Sequence, residues 1–302
     1  MPNQRLHDVI IIGGSYAGLS AAMALGRSLR NVLIIDSGLP CNRQTPHSHN
    51  FITHDGETPA AIAAKAREQV SAYKTVHFVD GLASSARKTN DGFAVTTQGG
   101  GEYESRKLIL ATGIKDLMPS IKGFADCWGI TVVHCPYCHG YELRGVKTAI
   151  MANGDKAVHL AALVSNLTDD VTLLTSGKQT LPAEQIEKLR ANNIRIIESG
   201  ISEIAHDAGQ VKHIVYTDGT SEKYGAIYAA IPFEQHSDIP RQLGCELTET
   251  GHIKVNELQQ TTAGGVYACG DNSSMMRSVA SAVYSGNLAG AVVNRELTEE
   301  RF

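Results

Sequence analysis

The sequence predicts an α/β protein made of two three-layer domains, with the second domain inserted into the first. Three observations lead to this prediction: a βαβ pattern occurs twice, the two copies are offset by 139 residues without a gap, and each is followed by residues that alternate like antiparallel strands. A chain of 302 residues is also too long for most single cores. A duplicated domain accounts for these features together.

The first βαβ copy covers residues 8–36. Residues 9–12 and 32–35 are short apolar runs typical of buried strands, and residues 17–29 predict a helix with small residues on one face. The same order returns as a strand at 150–151, a turn through Gly154, a helix over 156–167 and a strand over 171–174. Gly38 and Gly177 also coincide under the offset, so each copy predicts a Rossmann-like domain.

A β insert follows each copy. Residues 93–97 and 103–109 predict a small antiparallel meander, residues 201–205 and 211–217 predict a hairpin, and residues 227–231 predict a further strand. Turn residues break the pattern at 119–123 and 244–251, where we expect two hinge strands. We therefore assign residues 1–117 and 248–302 to a discontinuous first domain and residues 118–247 to the inserted domain.

Composition excludes several classes of function. The formal net charge is -4, with acids and bases interspersed, so no extended basic face for nucleic acid is expected. The N-terminus is polar and the apolar run after it stops at Gly13, which is too short for a signal-peptide core or a membrane span. We expect a cytoplasmic protein. Four of the six cysteines are isolated in sequence, which argues against a disulfide scaffold.

The first glycine turn reads GGSYAG at residues 13–18, with Ser15 in place of the middle glycine of the dinucleotide fingerprint. Gly13 and Gly18 still allow a tight turn and close helix packing, and the helix start around Ser15 and Ala17 offers amides to a pyrophosphate. Asp36 ends the second strand, where ribose hydroxyls bind. A purely structural glycine turn is the alternative, so this interpretation needs a second motif.

The second turn reads ANGDKA at residues 152–157 and departs from the fingerprint. Ala152 replaces the first glycine, and Asp155 places an acid near the position of a phosphate. Thr175 stands where the first copy has Asp36, and no arginine pair follows to bind a 2′-phosphate. The sequence therefore disfavours NADPH, and leaves two alternatives: a former nucleotide domain kept as scaffold, or a working NADPH site.

A CxxC motif precedes the second copy, in the segment HCPYCH at residues 134–139. This spacing lets the two sulfurs reach bonding distance, and a helix beginning at Pro136 would favour a thiolate on Cys135. A zinc site would need two more ligands. His134 and His139 flank the pair, but adjacent residues rarely converge on a tetrahedral ion and no second CxxC exists, so we expect no metal.

Two further motifs complete the pattern. The segment GVYACGD at residues 265–271 precedes a helix that begins near Ser278, and ATG at residues 111–113 ends a predicted strand. With the glycine turn and the CxxC pair, these motifs resemble the low-molecular-weight thioredoxin reductases of the pyridine nucleotide-disulfide oxidoreductase family over nearly the whole chain. The segment HCPYCHGYE at residues 134–142 is most similar to the branch of dithiol oxidases that act on gliotoxin-like and holomycin-like products.

The resemblance implies FAD as cofactor, a homodimer, and a set of residues that face the flavin. Asp271 would bind the ribityl chain, and the other implied positions are Ala111, Thr112, Gly113, Gly270, Ser278 and Val279, with Arg43 and Asn50 in the loop that lines the flavin. For His47, His49 and His54 two alternatives stay open: residues of the loop that lines the flavin, or surface or core-capping residues.

The resemblance also implies roles around the disulfide. Cys138 would be the sulfur next to the flavin and Cys135 the one that exchanges with substrate. His139 would be the acid/base, where reductases carry aspartate. An unperturbed histidine pKa of about 6.5 suits a proton shuttle for thiols. A solvent-facing turn histidine is the alternative.

Together these observations predict an FAD-dependent thiol–disulfide oxidoreductase that exchanges electrons between flavin and the Cys135–Cys138 pair. We expect a thiol oxidase with a degenerate NADPH site, acting on a small dithiol or a thioredoxin-like disulfide. The alternatives are an NADPH-dependent thioredoxin reductase and a flavin-binding redox sensor without turnover. An assay with NADPH distinguishes the reductase from the thiol oxidase. An assay of dithiol exchange distinguishes the redox sensor from both enzymes.

Overall fold

The computed structural model describes residues 6–302, so residues 1–5 of the predicted first domain lie outside the description. The chain forms two compact units. The first contains residues 6–43, Pro59–Lys115 and Phe233–Phe302, and the second contains Gln44–Thr58 and Asp116–Pro232. Residues 44–58 thus group with the second unit and residues 233–247 with the first, which differs from the sequence-based boundaries. The division into functional domains stays a prediction.

The first unit opens with the predicted βαβ pattern. Its elements, numbered in chain order, are β1 (His7–Ile12), α1 (Tyr16–Arg27), β2 (Val32–Asp36), α2 (Pro59–Ser71), β3 (Val76–Asp80), β4 (Ala83–Lys88), β5 (Phe93–Thr97), β6 (Glu102–Leu110) and β7 (Ile114–Asp116). β1 pairs in parallel with β2 and β6, and β2 with β3. Residues 9–12 are buried throughout, as expected of a parallel strand covered on both faces. The helix ends two residues before Leu29, which has a left-handed φ of 57°.

The second unit repeats this pattern. Its elements are α3 (Phe124–Cys127), β8 (Val132–Val133), α4 (Pro136–His139), β9 (Thr148–Met151), α5 (Asp155–Val164), β10 (Val171–Leu174), α6 (Ala183–Ala191), β11 (Arg195–Ile197), β12 (Ile201–Asp207), β13 (Gln210–Tyr216), β14 (Ser221–Lys223) and β15 (Ala226–Ala229). A parallel sheet has the order β11-β10-β9-β15-β8, and an antiparallel sheet the order β12-β13-β14.

Side chains of β9 show why this unit has three layers. Ala149 belongs to the core that contains Ile214 of β13, whereas Ile150 belongs to the core that contains Leu160 of α5. Successive residues of a strand point to opposite faces, so one face of the parallel sheet packs on the small sheet and the other on helices. The two Rossmann-like, three-layer domains predicted from the repeat are confirmed.

The chain then returns to the first unit through β16 (Phe233–Gln235), α7 (Ile239–Gln242), β17 (Val266–Ala268) and α8 (Val279–Glu299). β16 pairs with β7, and β17 pairs in parallel with β6. The long strand β6 therefore joins the antiparallel meander with β5 at its start and the parallel sheet at its end. A Cβ at Gly286 would overlap the carbonyl oxygen of Ala17, so α8 and α1 pack with their backbones in contact. Within residues 6–302, no helix is long and apolar enough to cross a membrane.

Candidate cofactor and redox sites

The first glycine turn lies between β1 and α1, at the carboxyl end of the parallel sheet. Gly13 has a φ of 107°, and a Cβ there would overlap the carbonyl oxygen of Ala111. A Cβ at Gly18 would overlap the carbonyl oxygen of Gly13. Backbone contacts therefore require glycine at both positions. The resulting turn is tight enough for a phosphate to approach the amides at the start of α1.

Asp36 is the last residue of β2 and closes the turn from the side. The Gly14 amide donates a hydrogen bond of 2.9 Å to its Oδ1, and a Cβ at Gly14 would lie 2.8 Å from the Asp36 Cβ. A carboxylate has two acceptor oxygens, so one can order the turn while the other accepts a ribose hydroxyl. Ser15 is the N-cap of α1, but its side chain makes no capping hydrogen bond, which leaves the first-turn amides to a ligand.

A cavity of about 290 Å³ opens in front of this turn. Its wall includes five residues of the predicted site: Gly13, Ser15, Asp36, Ala111 and Thr112. His236 and Ser237 also line it, although no sequence motif marks them. They follow β16, and the His236 amide points to the Gly113 carbonyl oxygen at 3.5 Å. A cavity lined by glycine backbone, a carboxylate and the N-terminus of a helix suits the adenosine diphosphate part of FAD.

The C-terminal motif follows β17 and packs against the helix of the glycine turn. The Gly270 amide donates to Ser285 Oγ at 3.0 Å, and a Cβ at Gly270 would lie 3.0 Å from the Cβ of Ala17. Two motifs that are more than 250 residues apart in sequence therefore meet in the first unit. Cys269, between β17 and Gly270, is fully buried, and burial raises the pKa of its thiol to about 12, so it is unreactive.

Asp271 has a largely buried side chain next to the start of α8. Its Oδ2 lies 3.8 Å from Arg277 Nε and 3.9 Å from Cys41 Sγ. α8 begins at Val279, and the N-cap Ser278 accepts a hydrogen bond of 3.1 Å from the amide three residues on. The carboxylate and the helix start thus lie on one short segment, where a carboxylate can accept hydroxyl donors and helix amides can face a polar ring.

Asn272 links the C-terminal motif to the segment after β6, and it is not among the residues predicted from the sequence. Its side chain is fully buried, and its Nδ2 donates to the Leu110 carbonyl oxygen at 2.9 Å and to Thr112 Oγ1 at 3.3 Å. Its Oδ1 is buried without a hydrogen-bond partner in the described part of the chain. A buried acceptor of this kind fits a donor group of a bound cofactor. The available signal was an amide directly after a Gly-Asp pair at a strand end.

The redox pair lies in the second unit, at the start of the short helix α4. Cys135 and Cys138 form a disulfide with Cα atoms 5.4 Å apart. Cys135 is the N-cap residue, with extended backbone, and Pro136 occupies the first turn as predicted. Both cysteines are half-buried, and the intervening Tyr137 is 66% exposed. The ring of His134 stacks on Trp128 with centroids 5.9 Å apart, and this contact holds the segment that directly precedes Cys135.

His139, directly after Cys138, is half-buried at the end of α4. Burial lowers the pKa of its imidazole, the positive charge of His49 lowers it further, and the carboxylate of Glu142 opposes both. A neutral imidazole at neutral pH can accept a proton from a thiol. His49 belongs to the loop over residues 44–58, and its proximity to His139 could not be inferred from sequence.

The second glycine turn, between β9 and α5, is occupied by the side chain of one of its own residues, Asn153. Asn153 Oδ1 accepts hydrogen bonds from the Gly154 amide at 2.9 Å, the Thr180 amide at 3.0 Å and Thr180 Oγ1 at 3.1 Å. Asp155 is the first residue of α5 and accepts from Gln185 Nε2 at 3.1 Å. Thr175 is buried, and its hydroxyl donates to the Gly177 carbonyl oxygen at 2.7 Å.

The two flavin residues predicted in the loop after β2 lie in different units. Arg43 is exposed in the first unit and donates to the Pro40 carbonyl oxygen at 3.1 Å. Asn50 is exposed in the second unit, with a left-handed φ of 60°. Their contact with a flavin stays a prediction. Across residues 6–302, no three histidine, cysteine or acidic side chains are arranged to hold a metal ion.

A nucleotide-type glycine turn with its acid, a Gly-Asp motif and a CxxC disulfide define a flavin-dependent thiol–disulfide oxidoreductase. Residues 7–286 match the profile of the family described as pyridine nucleotide-disulphide oxidoreductase, and the chain belongs to this family. Membership implies FAD and usually NADPH.

Similar proteins include thioredoxin reductases from two fungi. Thioredoxin reductase tcpT of Claviceps purpurea is 34% identical, covering 98% of this chain and 96% of its own. Thioredoxin reductase sirT of Leptosphaeria maculans is 34% identical, covering 96% and 94%. A crystal structure of an oxidoreductase from Agrobacterium tumefaciens superposes with a TM-score of 0.91 at 39% identity, covering 98% and 99%. The resemblance to thioredoxin reductases is confirmed.

Proposed function

We propose that this protein is an FAD-dependent thiol oxidase that forms a disulfide in a small dithiol substrate and does not use NADPH. The observation that carries this proposal is the second turn, where the Asn153 side chain binds the Gly154 and Thr180 amides. In a working dinucleotide site the amides of this turn, such as that of Gly154, bind the pyrophosphate. Asp155 at the start of α5 adds negative charge at the same place.

The chemistry at the disulfide follows from thiol exchange. A substrate thiolate attacks Cys135 Sγ, the Cys135–Cys138 bond breaks, and Cys138 leaves as a thiolate. The second substrate thiolate attacks the substrate sulfur of the mixed disulfide, which releases the substrate disulfide and the Cys135 thiolate. Two electrons have then passed from the substrate to the cysteine pair. His139 accepts a thiol proton in this exchange and passes it to solvent.

The first unit would hold the cofactor that removes these electrons. Gly13, Gly18 and Asp36 would bind its adenosine diphosphate part, and Asp271 and Asn272 its remaining polar groups. FAD, when bound, supplies a two-electron acceptor that restores the disulfide and passes the electrons to oxygen or another acceptor. By the family resemblance we also expect a homodimer, and a cytoplasmic location is part of the same proposal.

A second candidate is an NADPH-dependent reductase that runs the same exchange in reverse. The observation in its favour is that the relatives named above are called thioredoxin reductases. The third candidate, a redox sensor, would keep the flavin but show no turnover.

Oxygen consumption with dithiothreitol as model dithiol distinguishes the three. We expect sustained turnover without NADPH, and loss of at least about a hundredfold in Cys135→Ser and in Cys138→Ser, because neither variant can form the disulfide. Cys245→Ser is the matched control, since Cys245 is buried and outside the pair. Turnover that depends on NADPH would favour the reductase, and no turnover with any dithiol would favour the sensor.

A further inference from the structure

The loop over residues 44–58 is tied to the second unit and closed on itself. Gln44 Nε2 donates to the Trp128 carbonyl oxygen at 3.0 Å, close to the ring that stacks on His134. The Ser48 and Gly56 amides make reciprocal backbone hydrogen bonds of 2.8 and 2.9 Å, to the carbonyl oxygens of Glu57 and Ser48. These contacts hold the intervening residues in a defined conformation.

His49 lies within this closed loop, between two carboxylates. Its Nδ1 lies 3.6 Å from Asp55 Oδ2, and its Nε2 lies 3.7 Å from Glu142 Oε1. The Asn50 amide donates to the other Asp55 oxygen at 2.7 Å, so Asp55 is itself held by the loop. The His49 side chain is 20% exposed, whereas Asp55 and Glu142 are 66% and 40% exposed. An acid on each ring nitrogen fixes the orientation of the imidazole.

Glu142 is three residues after His139, and these two residues plus His49 form one electrostatic cluster. The charged groups that act on His139 are His49, which lowers its pKa, and Glu142, which raises it, with burial as the largest effect. Burial, with a smaller contribution from the charge of Glu142, raises the pKa of Tyr228 to about 12, so this neighbour stays neutral. A carboxylate free to pair with His139 would favour the imidazolium form, which cannot accept a proton.

We propose that His49 is a positioning residue of the redox centre: held between Asp55 and Glu142, it engages the Glu142 carboxylate and keeps the His139 ring free to accept the proton of an incoming thiol. This inference rests on the acid/base role of His139 in the proposed function. It gives the loop over residues 44–58 a role in the chemistry of the disulfide, although none of its residues belongs to the CxxC segment.

The test is the proton titration of His139, followed by NMR through the imidazole C–H signals and assigned with His139→Gln. In His49→Ala we expect the pKa of His139 to rise by about one unit, because a positive charge is lost and Glu142 is released. In the Glu142→Gln background, His49→Ala should raise the pKa of His139 by less than half of the rise seen with Glu142 present. His47→Gln is the matched control, since His47 is exposed in the same loop and contacts the Gly56 carbonyl oxygen.

The kinetic readout is the rate of disulfide reduction by dithiothreitol, divided by the wild-type rate at each pH. His49→Ala should slow the reaction about two- to fivefold near pH 6 and leave it unchanged at pH 8.5, whereas a purely structural defect would slow it at every pH. An unchanged or lower pKa of His139 in His49→Ala would overturn the proposal, as would an equal rise in the Glu142→Gln background. Should the pKa rise while His139→Gln exchanges normally, the positioning stands and the acid/base role of His139 fails.

Discussion

The two glycine turns occupy equivalent places in the repeat, but the backbone amides of the two turns have different hydrogen-bond partners. In the first, the Gly14 amide is held by Asp36 from the side, and the N-cap Ser15 does not bind the helix start. In the second, Asn153 stands at the position of Gly14 and folds into the turn to bind the Gly154 and Thr180 amides. We propose that a side chain that satisfies these amides takes the place of a phosphate, so that the same fold can keep a nucleotide site or close it.

The largest effect should come from exchanging the first residue of each turn. Gly13→Ala should abolish flavin retention, because the new Cβ overlaps the Ala111 carbonyl oxygen and the φ of 107° is strained, at a cost of several kcal/mol. The matched change Ala152→Gly should retain FAD at the wild-type ratio. The measurement is the flavin-to-protein absorbance ratio after reconstitution. A yellow Gly13→Ala protein would show that the first turn does not bind the cofactor.

Reduction by NADPH should show the next largest effect. By our proposal the second turn lacks two contacts to charged groups of NADPH that a working dinucleotide site makes. Each such contact is worth roughly 1.5–3 kcal/mol, so their loss weakens NADPH binding by about two to four orders of magnitude. Anaerobic stopped-flow should therefore show slow flavin reduction that does not saturate at micromolar NADPH. Asn153→Gly should tighten NADPH binding by about tenfold, because it frees the Gly154 and Thr180 amides. Fast reduction of the wild type, saturating at micromolar NADPH, would return the protein to the reductase class.

The strand ends of the two repeats allow a smaller, matched comparison. Asp36→Ala should weaken FAD binding by roughly ten- to a hundredfold, since it removes both the Gly14 hydrogen bond and the ribose acceptor. Thr175→Ala should leave FAD binding unchanged and lower the free energy of unfolding by about 1 kcal/mol, because its hydroxyl bonds internally to Gly177. Titration of apoprotein with FAD, followed by flavin fluorescence, measures the first effect. Equal affinities for the two variants would contradict the assignment.

The smallest effect concerns the internal polar contacts of the second unit. Burial raises the pKa of Glu222, but hydrogen bonds from Lys147, Arg195 and Tyr224 outweigh it and hold the pKa at about 2. A depressed carboxyl pKa stabilises the fold above its unfolded value of about 4.3, and this contribution is lost as the pH falls towards 2. Glu222→Gln should lower the free energy of unfolding by about 1–2 kcal/mol at pH 7.

The control for this prediction is pH itself. The difference between wild type and Glu222→Gln, measured by urea unfolding, should close between pH 4.5 and 2. A difference that persists unchanged at pH 2.5 would show that packing, and not the charge of Glu222, stabilises the second unit.

Sequence reasoning succeeded where the cause is local. The buried runs at 9–12 and 171–174 predicted parallel strands, and the positive φ of Gly13 follows from the tight turn that its motif demands. Prediction from sequence failed where contacts join residues that are distant in the chain. The partners of Asn272 lie about 160 residues away, and Gln44 joins the second unit through the carbonyl of Trp128, 84 residues on. No pattern of hydrophobicity marks such pairs, which is why Asn153 and His236 were not singled out and His49 was not placed near His139.

The discontinuous first unit has a consequence for the order of folding on the ribosome. The second unit is complete once residue 232 has been synthesised, whereas the first lacks β17 and α8 until the last part of the chain, Phe233–Phe302, emerges. Arg30, between α1 and β2, donates hydrogen bonds to Asn294 and Thr298 of α8. During translation the disulfide-bearing unit can therefore fold first, while the unit with the first glycine turn must wait for β17 and α8.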